Sequence, residues 1–94
     1  MKLEWSASAL ADLDRFAEFL RDRHPRLASV VAEEILAKAQ IIQVHPELGQ
    51  PIKGRVDYRE ILLQVLNATY ALHYGYDGER LVMLRVFHGR EARR

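Results

Sequence analysis

The chain has 94 residues, 49% hydrophobic and 29% charged, with a formal net charge of +1 and no cysteine. That length suits a single domain spanning residues 1–94, removing roughly 60–65% of its unfolded surface from water. The absent thiols exclude a disulfide framework and cysteine chemistry. No apolar run approaches the ~18 residues that span a bilayer, and the N-terminus lacks a basic n-region and an apolar h-region. Export and membrane insertion are therefore not indicated, and a cytoplasmic setting is expected.

Charge is unevenly placed. Residues 1–50 hold six Lys+Arg against eight Asp+Glu, whereas residues 51–94 hold eight against five. The basic second half is either ordinary solvated surface or a face that meets an anionic partner.

Lys2 to Trp5 reads as a short strand ended by Ser6, a helix N-cap, with Trp5 and Leu10 placed to form a hydrophobic staple. Leu10, Leu13, Phe16, Ala17 and Leu20 recur at helical spacing. Asp12, Asp14, Arg15, Glu18, Arg21 and Asp22 make the opposite, solvated face. His24-Pro25 ends this helix and begins the next, since proline disfavours helical geometry before it and suits the first helical turn. There Leu27, Val31, Ile35, Ala39 and Ile42 form one apolar row, widened by Val30, Leu36 and Ile41. A stripe this broad is covered on more than one side, or keeps part of itself for a partner. His45-Pro46 stops the helix. Residues 46–51 then read as a rigid connector, followed by a short basic loop with Lys53 and Arg55.

Tyr58 to Val65 is the next strand, and a tight turn at Leu66-Asn67 sets Leu63 opposite Tyr70, Ile61 opposite Leu72 and Arg59 opposite Tyr74. Ala68 onward is a second strand with period-2 alternation. Asp77-Gly78 marks a hairpin turn, and Leu81 to Phe87 returns as a third strand. A three-residue loop at Tyr76 to Gly78 is preferred, because it sets Val82, Leu84 and Val86 on the face of Tyr70, Leu72 and Tyr74. The predicted order is β-α-α-β-β-β, an α+β fold with a helical hairpin packed on a mainly antiparallel sheet.

Several segments together resemble the RelE/ParE superfamily of bacterial toxins from type II toxin–antitoxin modules. They are the Trp5-Ser6 start, Ala-Asp-Leu at 11–13, Pro46…Gly49…Pro51, Arg59 early in a strand, Tyr70-x-Leu72-x-Tyr74, and Leu-Arg-Val-Phe-His-Gly-Arg at 84–90. The resemblance covers essentially the whole chain. It implies one of two activities. RelE-like members are ribosome-dependent mRNA endonucleases that drive attack of the 2′-OH on its own phosphate, which needs a base, a cation and an acid. ParE-like members inhibit DNA gyrase by binding and carry no catalytic set.

The chain departs from the nuclease pattern at two places. Ala71 stands where such nucleases most often carry arginine, and no tyrosine follows the last strand, the four being Tyr58, Tyr70, Tyr74 and Tyr76. Residues left for nuclease work are Arg59, Arg85, His88 and Arg90. With the three-residue loop, His88 lies eight positions from the level of Arg59, roughly 26 Å along the sheet, too far to share one phosphate. The ending His-Gly-Arg resembles ParE.

The resemblance therefore implies a ParE-like gyrase inhibitor without catalytic residues. Arg59, Tyr74, Arg85, His88, Arg90, Arg93 and Arg94 are the candidates for target binding. Its partner would be a ParD-like antitoxin whose acidic, partly apolar segment folds on Val30, Leu36, Ile41, Arg85 and Arg90. Alternatives are the mRNA endonuclease, and a non-toxic protein that only assembles with an antitoxin as corepressor. No cofactor is expected. The histidines at 24, 45, 73 and 88 lack metal-ligand spacing, so no metal site is expected either.

Overall fold

Ser6 both ends the first strand and starts the first helix. In the computed structural model, which describes residues 1–89, its hydroxyl accepts the Ala9 amide at 3.0 Å and donates to the Leu84 carbonyl at 2.9 Å. The elements are β1 (Leu3–Trp5), α1 (Ala7–Arg21), α2 (Pro25–Val44), β2 (Gln50–Ile52), β3 (Arg55–Val65), β4 (Ala68–Tyr76) and β5 (Leu81–His88). They form a five-stranded sheet in the order β1-β5-β4-β3-β2, with β1 parallel to β5 and the other pairs antiparallel. The helical hairpin packs on one face, as the α+β prediction requires. The structure adds one strand: β2, in the segment read as connector and basic loop, pairs through Gln50 with Glu60 and Pro51 with Arg59. Proline is tolerated there because β2 is an edge strand.

The core joins Val31, Ile35, Ala39 and Ile42 of α2 to Leu63, Val65, Tyr70, Leu72, Tyr74, Leu81, Met83 and Val86 of the sheet. The α2 row is thus buried from Val31 to Ile42 as its spacing predicts, with Leu27 partly buried at its start. In α1 the pattern holds less well. Leu13 and Phe16 pack against the core and Leu20 is buried, but Leu10 is exposed, so it does not serve as the inner half of a staple. Asp12, read as solvated, is buried. Phe16 lies edge-on to Tyr70, ring centroids 5.5 Å apart. As this ring is only half-buried, Phe16→Ala is expected to cost about 2–3 kcal/mol in denaturant unfolding, below the 3–5 of a fully buried ring.

The β3–β4 register agrees with the sequence reading at all three predicted pairs, Leu63 with Tyr70, Ile61 with Leu72 and Arg59 with Tyr74. The β4–β5 hairpin does not have the predicted three-residue loop. Tyr76 pairs with Leu81, and Asp77 organises the four residues between by accepting the Glu79 amide at 2.9 Å and the Arg80 amide at 2.8 Å. Ladder pairing then jumps from Tyr74–Met83 to His73–Arg85, leaving Leu84 as a bulge. One extra residue exchanges the faces of β5. Leu81 and Met83 face the core before it, Val86 and His88 after it, while Val82 and Leu84 lie on the other side.

Candidate functional site

Arg59 and Tyr74 sit level on adjacent strands, and the structure engages both in holding the 46–49 connector. The Arg59 guanidinium donates to the Glu47 carbonyl at 3.0 Å and the Gly49 carbonyl at 2.8 Å. The Tyr74 hydroxyl donates to the Pro46 carbonyl at 2.7 Å and accepts the Gly49 amide at 2.8 Å. Tyr74 is fully buried. Burial pushes its hydroxyl pKa upward, against the opposing pull of the Gly49 amide and the Arg59 charge, so it remains a donor at neutral pH. Tyr74, expected among the target-binding residues, is therefore a core residue with no accessible surface. Arg59 takes carbonyl partners and lies half-buried.

Arg85 projects from the bulged part of β5, where β1 no longer covers the strand edge: β1 pairs only as far as Trp5 with Met83. Side chains of α1 cover the edge instead. Asp12 accepts Arg85 Nε at 2.8 Å, Arg85 Nη2 at 3.1 Å and the Val86 amide at 2.8 Å. Burial pushes the Asp12 carboxyl upward. The Arg85 hydrogen bond, the Val86 amide and the charges of Arg85 and Arg15 outweigh it and hold the pKa below its ordinary value. Arg85 also lies over the Phe87 ring, 4.9 Å from its centroid. Sequence reasoning missed Asp12, because a carboxylate among other charges on a helix carries no periodic mark.

The sheet face away from the helices carries its own side-chain cluster. A cleft of about 350 Å³ is lined by Ile52, Arg55, Tyr58, His73, Leu84, Arg85 and Phe87. His73 Nε2 lies 2.7 Å from Glu60 Oε2, and its ring meets Phe87 edge-on at 4.9 Å. Arg55 lies over Tyr58 at 5.5 Å. Aromatic planes with guanidinium groups above them suit a planar or anionic ligand. Neither Glu60 nor His73 was singled out from sequence, although the predicted register already places them opposite one another. Among the described residues no group of His, Asp and Glu could hold a metal ion.

His88 does not join this cleft. It pairs with Tyr70, so it lies four positions from the level of Arg59, not eight, about 13 Å along the sheet and with β4 between. Its ring packs against Tyr70 at 5.0 Å, beside an apolar pocket of about 230 Å³ formed with Arg15, Phe16, Phe19 and Leu20. The four nuclease candidates are thus not gathered. Arg59 faces the connector, Arg85 holds Asp12, His88 borders the apolar pocket, and Arg90 lies outside the described residues, as do Arg93 and Arg94. On the helices Val30, Leu36 and Ile41 are exposed, with Phe19 also open at 59%. That is the apolar surplus the sequence predicts for α2.

Over residues 3–93 the chain matches the family model described as the ParE toxin of type II toxin–antitoxin systems, parDE. Its structure is similar to a chain of the chromosomal ParDE TA system from P. aeruginosa, with 21% identity, a TM-score of 0.74, and coverage of 95% of this chain and 96% of that one. It is also similar to a YoeB/ParE toxin from Agrobacterium tumefaciens, at 22% identity and a TM-score of 0.56, covering 93% and 96%. Identities this low carry the fold alone. None of the curated proteins matches the sequence. Because the family model spans nearly the whole length, the chain belongs to the ParE toxin family of type II toxin–antitoxin systems.

Proposed function

We propose that this chain arrests growth by binding DNA gyrase, without catalysis, and is neutralised by a ParD-like antitoxin. The observation that carries the reading is the engagement of the nuclease positions in the fold itself. Arg59 holds carbonyls of the connector, the position of the nuclease arginine is the buried Ala71, and Tyr70 and Tyr74 are core residues. Cleavage by 2′-OH attack needs a base, a cation and an acid converging on one phosphate. Arg59 and His88, with a strand between them, do not supply that convergence.

Target contact is assigned to the end of the sheet that carries Arg85 and His88, continuing into the basic residues Arg90, Arg93 and Arg94. Antitoxin contact is assigned to the exposed apolar side chains Val30, Leu36 and Ile41, with Arg85 and Arg90 meeting acidic residues of the partner. Among the described residues no helix is long and apolar enough to cross a membrane; a cytoplasmic setting follows from the proposed target alone.

Inducible expression with parallel supercoiling and translation readouts tests the proposal. The expected result is loss of negative supercoiling in plasmid DNA while mRNA stays intact. Codon-positioned cleavage of mRNA on ribosomes, abolished by Arg59→Ala or His88→Ala, would replace it with the endonuclease reading. Unimpaired growth with both readouts unchanged would favour the corepressor.

A further inference from the structure

β2 covers β3 only as far as Gln50 opposite Glu60. Among the described residues no strand pairs with residues 61–65 on that side, so the last five residues of β3 form an open edge. The ladder fixes which backbone groups are available. Val65 and Ala68 close a two-residue turn, so they exchange hydrogen bonds, and alternation makes Leu63–Tyr70 and Ile61–Leu72 the next bonded pairs. The N–H and C=O of Leu62 and Gln64 consequently point outward, at the spacing that a further strand would meet. Among the described residues nothing blunts this edge. It holds no proline, lysine or bulge, and Leu62 on it is half-exposed.

At the turn end the edge runs into a groove of about 560 Å³ lined by Arg23, His24, Pro25, Arg26, Leu27, Val30 and Leu66. Its floor is apolar through Leu27, Val30 and Leu66, and its rim is basic through Arg23 and Arg26. Leu66 is 70% exposed and held in the left-handed region at φ 54.

We propose that the Leu62–Gln64 edge of β3 is a strand-addition site that takes an extended segment of the antitoxin as a sixth strand. Backbone groups of that segment pair with Leu62 and Gln64. An apolar residue sits among Leu27, Val30 and Leu66, and acidic residues meet Arg23 and Arg26. This rests on the antitoxin reading above and extends it: Val30 belongs to both surfaces, so one partner chain can pass from the helical face to the sheet edge. The basic rim selects an acidic segment over a second copy of the chain, which would bring its own Arg23 and Arg26 to the same edge.

The test is hydrogen exchange on the complex with the antitoxin encoded in the neighbouring open reading frame, beside binding by Leu62→Pro and Gln64→Pro variants. Both prolines remove only an outward N–H, so the β3–β4 ladder keeps its bonds, and Gln64→Lys serves as a second variant should a proline disturb the fold. The expected result is slowing of the Leu62 and Gln64 amides by at least about tenfold in the complex. Affinity should fall about tenfold or more in the variants, with the folded chain's melting little changed. Unchanged exchange in a complex that forms, with variants binding as the parent does, would overturn the strand-addition site and leave the antitoxin reading standing. Failure of any complex to form would overturn both. Concentration-dependent protection of the same amides in the chain alone would assign the edge to a second copy instead.

Discussion

Replacing Asp12 with alanine is expected to destabilise the fold by about 2–4 kcal/mol, because one carboxylate satisfies three donors at the end of the sheet. Its side chain is 6% exposed, while that of Arg85 is 45% exposed. The two partners therefore suffer differently. Arg85 can rehydrate when the carboxylate is removed, so the full penalty of an unpaired buried charge does not arise. The Val86 amide is buried and cannot, and an orphaned buried N–H costs roughly 1–3 kcal/mol by itself. Asp12→Asn keeps an oxygen for Val86 and should cost about half as much. Urea unfolding of the two variants separates these contributions.

The same group gives the fold an acid sensitivity of known sign. Asp12 has a pKa below its ordinary value of 3.8 when folded. Its contribution is therefore complete above the unfolded-state value and is lost as pH falls through the lower, folded one. Stability should decline below about pH 4, and Asp12→Asn should flatten that part of the profile relative to the parent chain.

The second large effect is expected at the connector. Gly49 packs so closely against Tyr74 that a Cβ there would lie 2.8 Å from the hydroxyl oxygen, 2.9 Å from Cε1 and 3.0 Å from the Glu60 carbonyl oxygen. The Tyr74 ring is fully buried and the carbonyl is backbone, so neither can yield cheaply. Gly49→Ala is expected to cost about 2–4 kcal/mol. Tyr74→Phe removes the group that pairs both Pro46 and Gly49, at about 2–3 kcal/mol. Because the two substitutions disrupt one contact, the double variant should fall well short of the sum. Thermal melting of the three variants measures this, and additive effects would show that the hydroxyl and the close approach act independently.

Alternation and turn chemistry made part of this structure legible in the sequence. The β3–β4 register followed from Leu66-Asn67 and from two strands whose faces differ, and the buried row of α2 from its i+4 spacing. β5 resisted the same reading because Leu81, Val82, Met83 and Leu84 are apolar on both faces, so no period marks the bulge at Leu84. β2 was hidden by its proline and its length of three residues. At the site, Arg85 was singled out for its charge, yet its partner Asp12 lies 73 residues away, and nothing local distinguishes that carboxylate from Asp14. Tyr74 stood among the candidates for target contact although it lies on the apolar face of its strand, because a tyrosine on an alternating strand has the same signature whether its hydroxyl meets solvent or a buried carbonyl.

The joining of β1, Ser6 and Asp12 to β5 also orders events in time. The Ser6 hydroxyl finds the Leu84 carbonyl 78 residues along, and Asp12 finds the Val86 amide 74 residues along. None of these bonds can close until residues 81–86 have left the ribosome, so the first strand and the start of α1 wait without their partners while everything between them is made. Contacts so distant in sequence carry a large loop-closure entropy and slow the final step. A nascent chain therefore lacks these bonds until residues 81–86 have emerged.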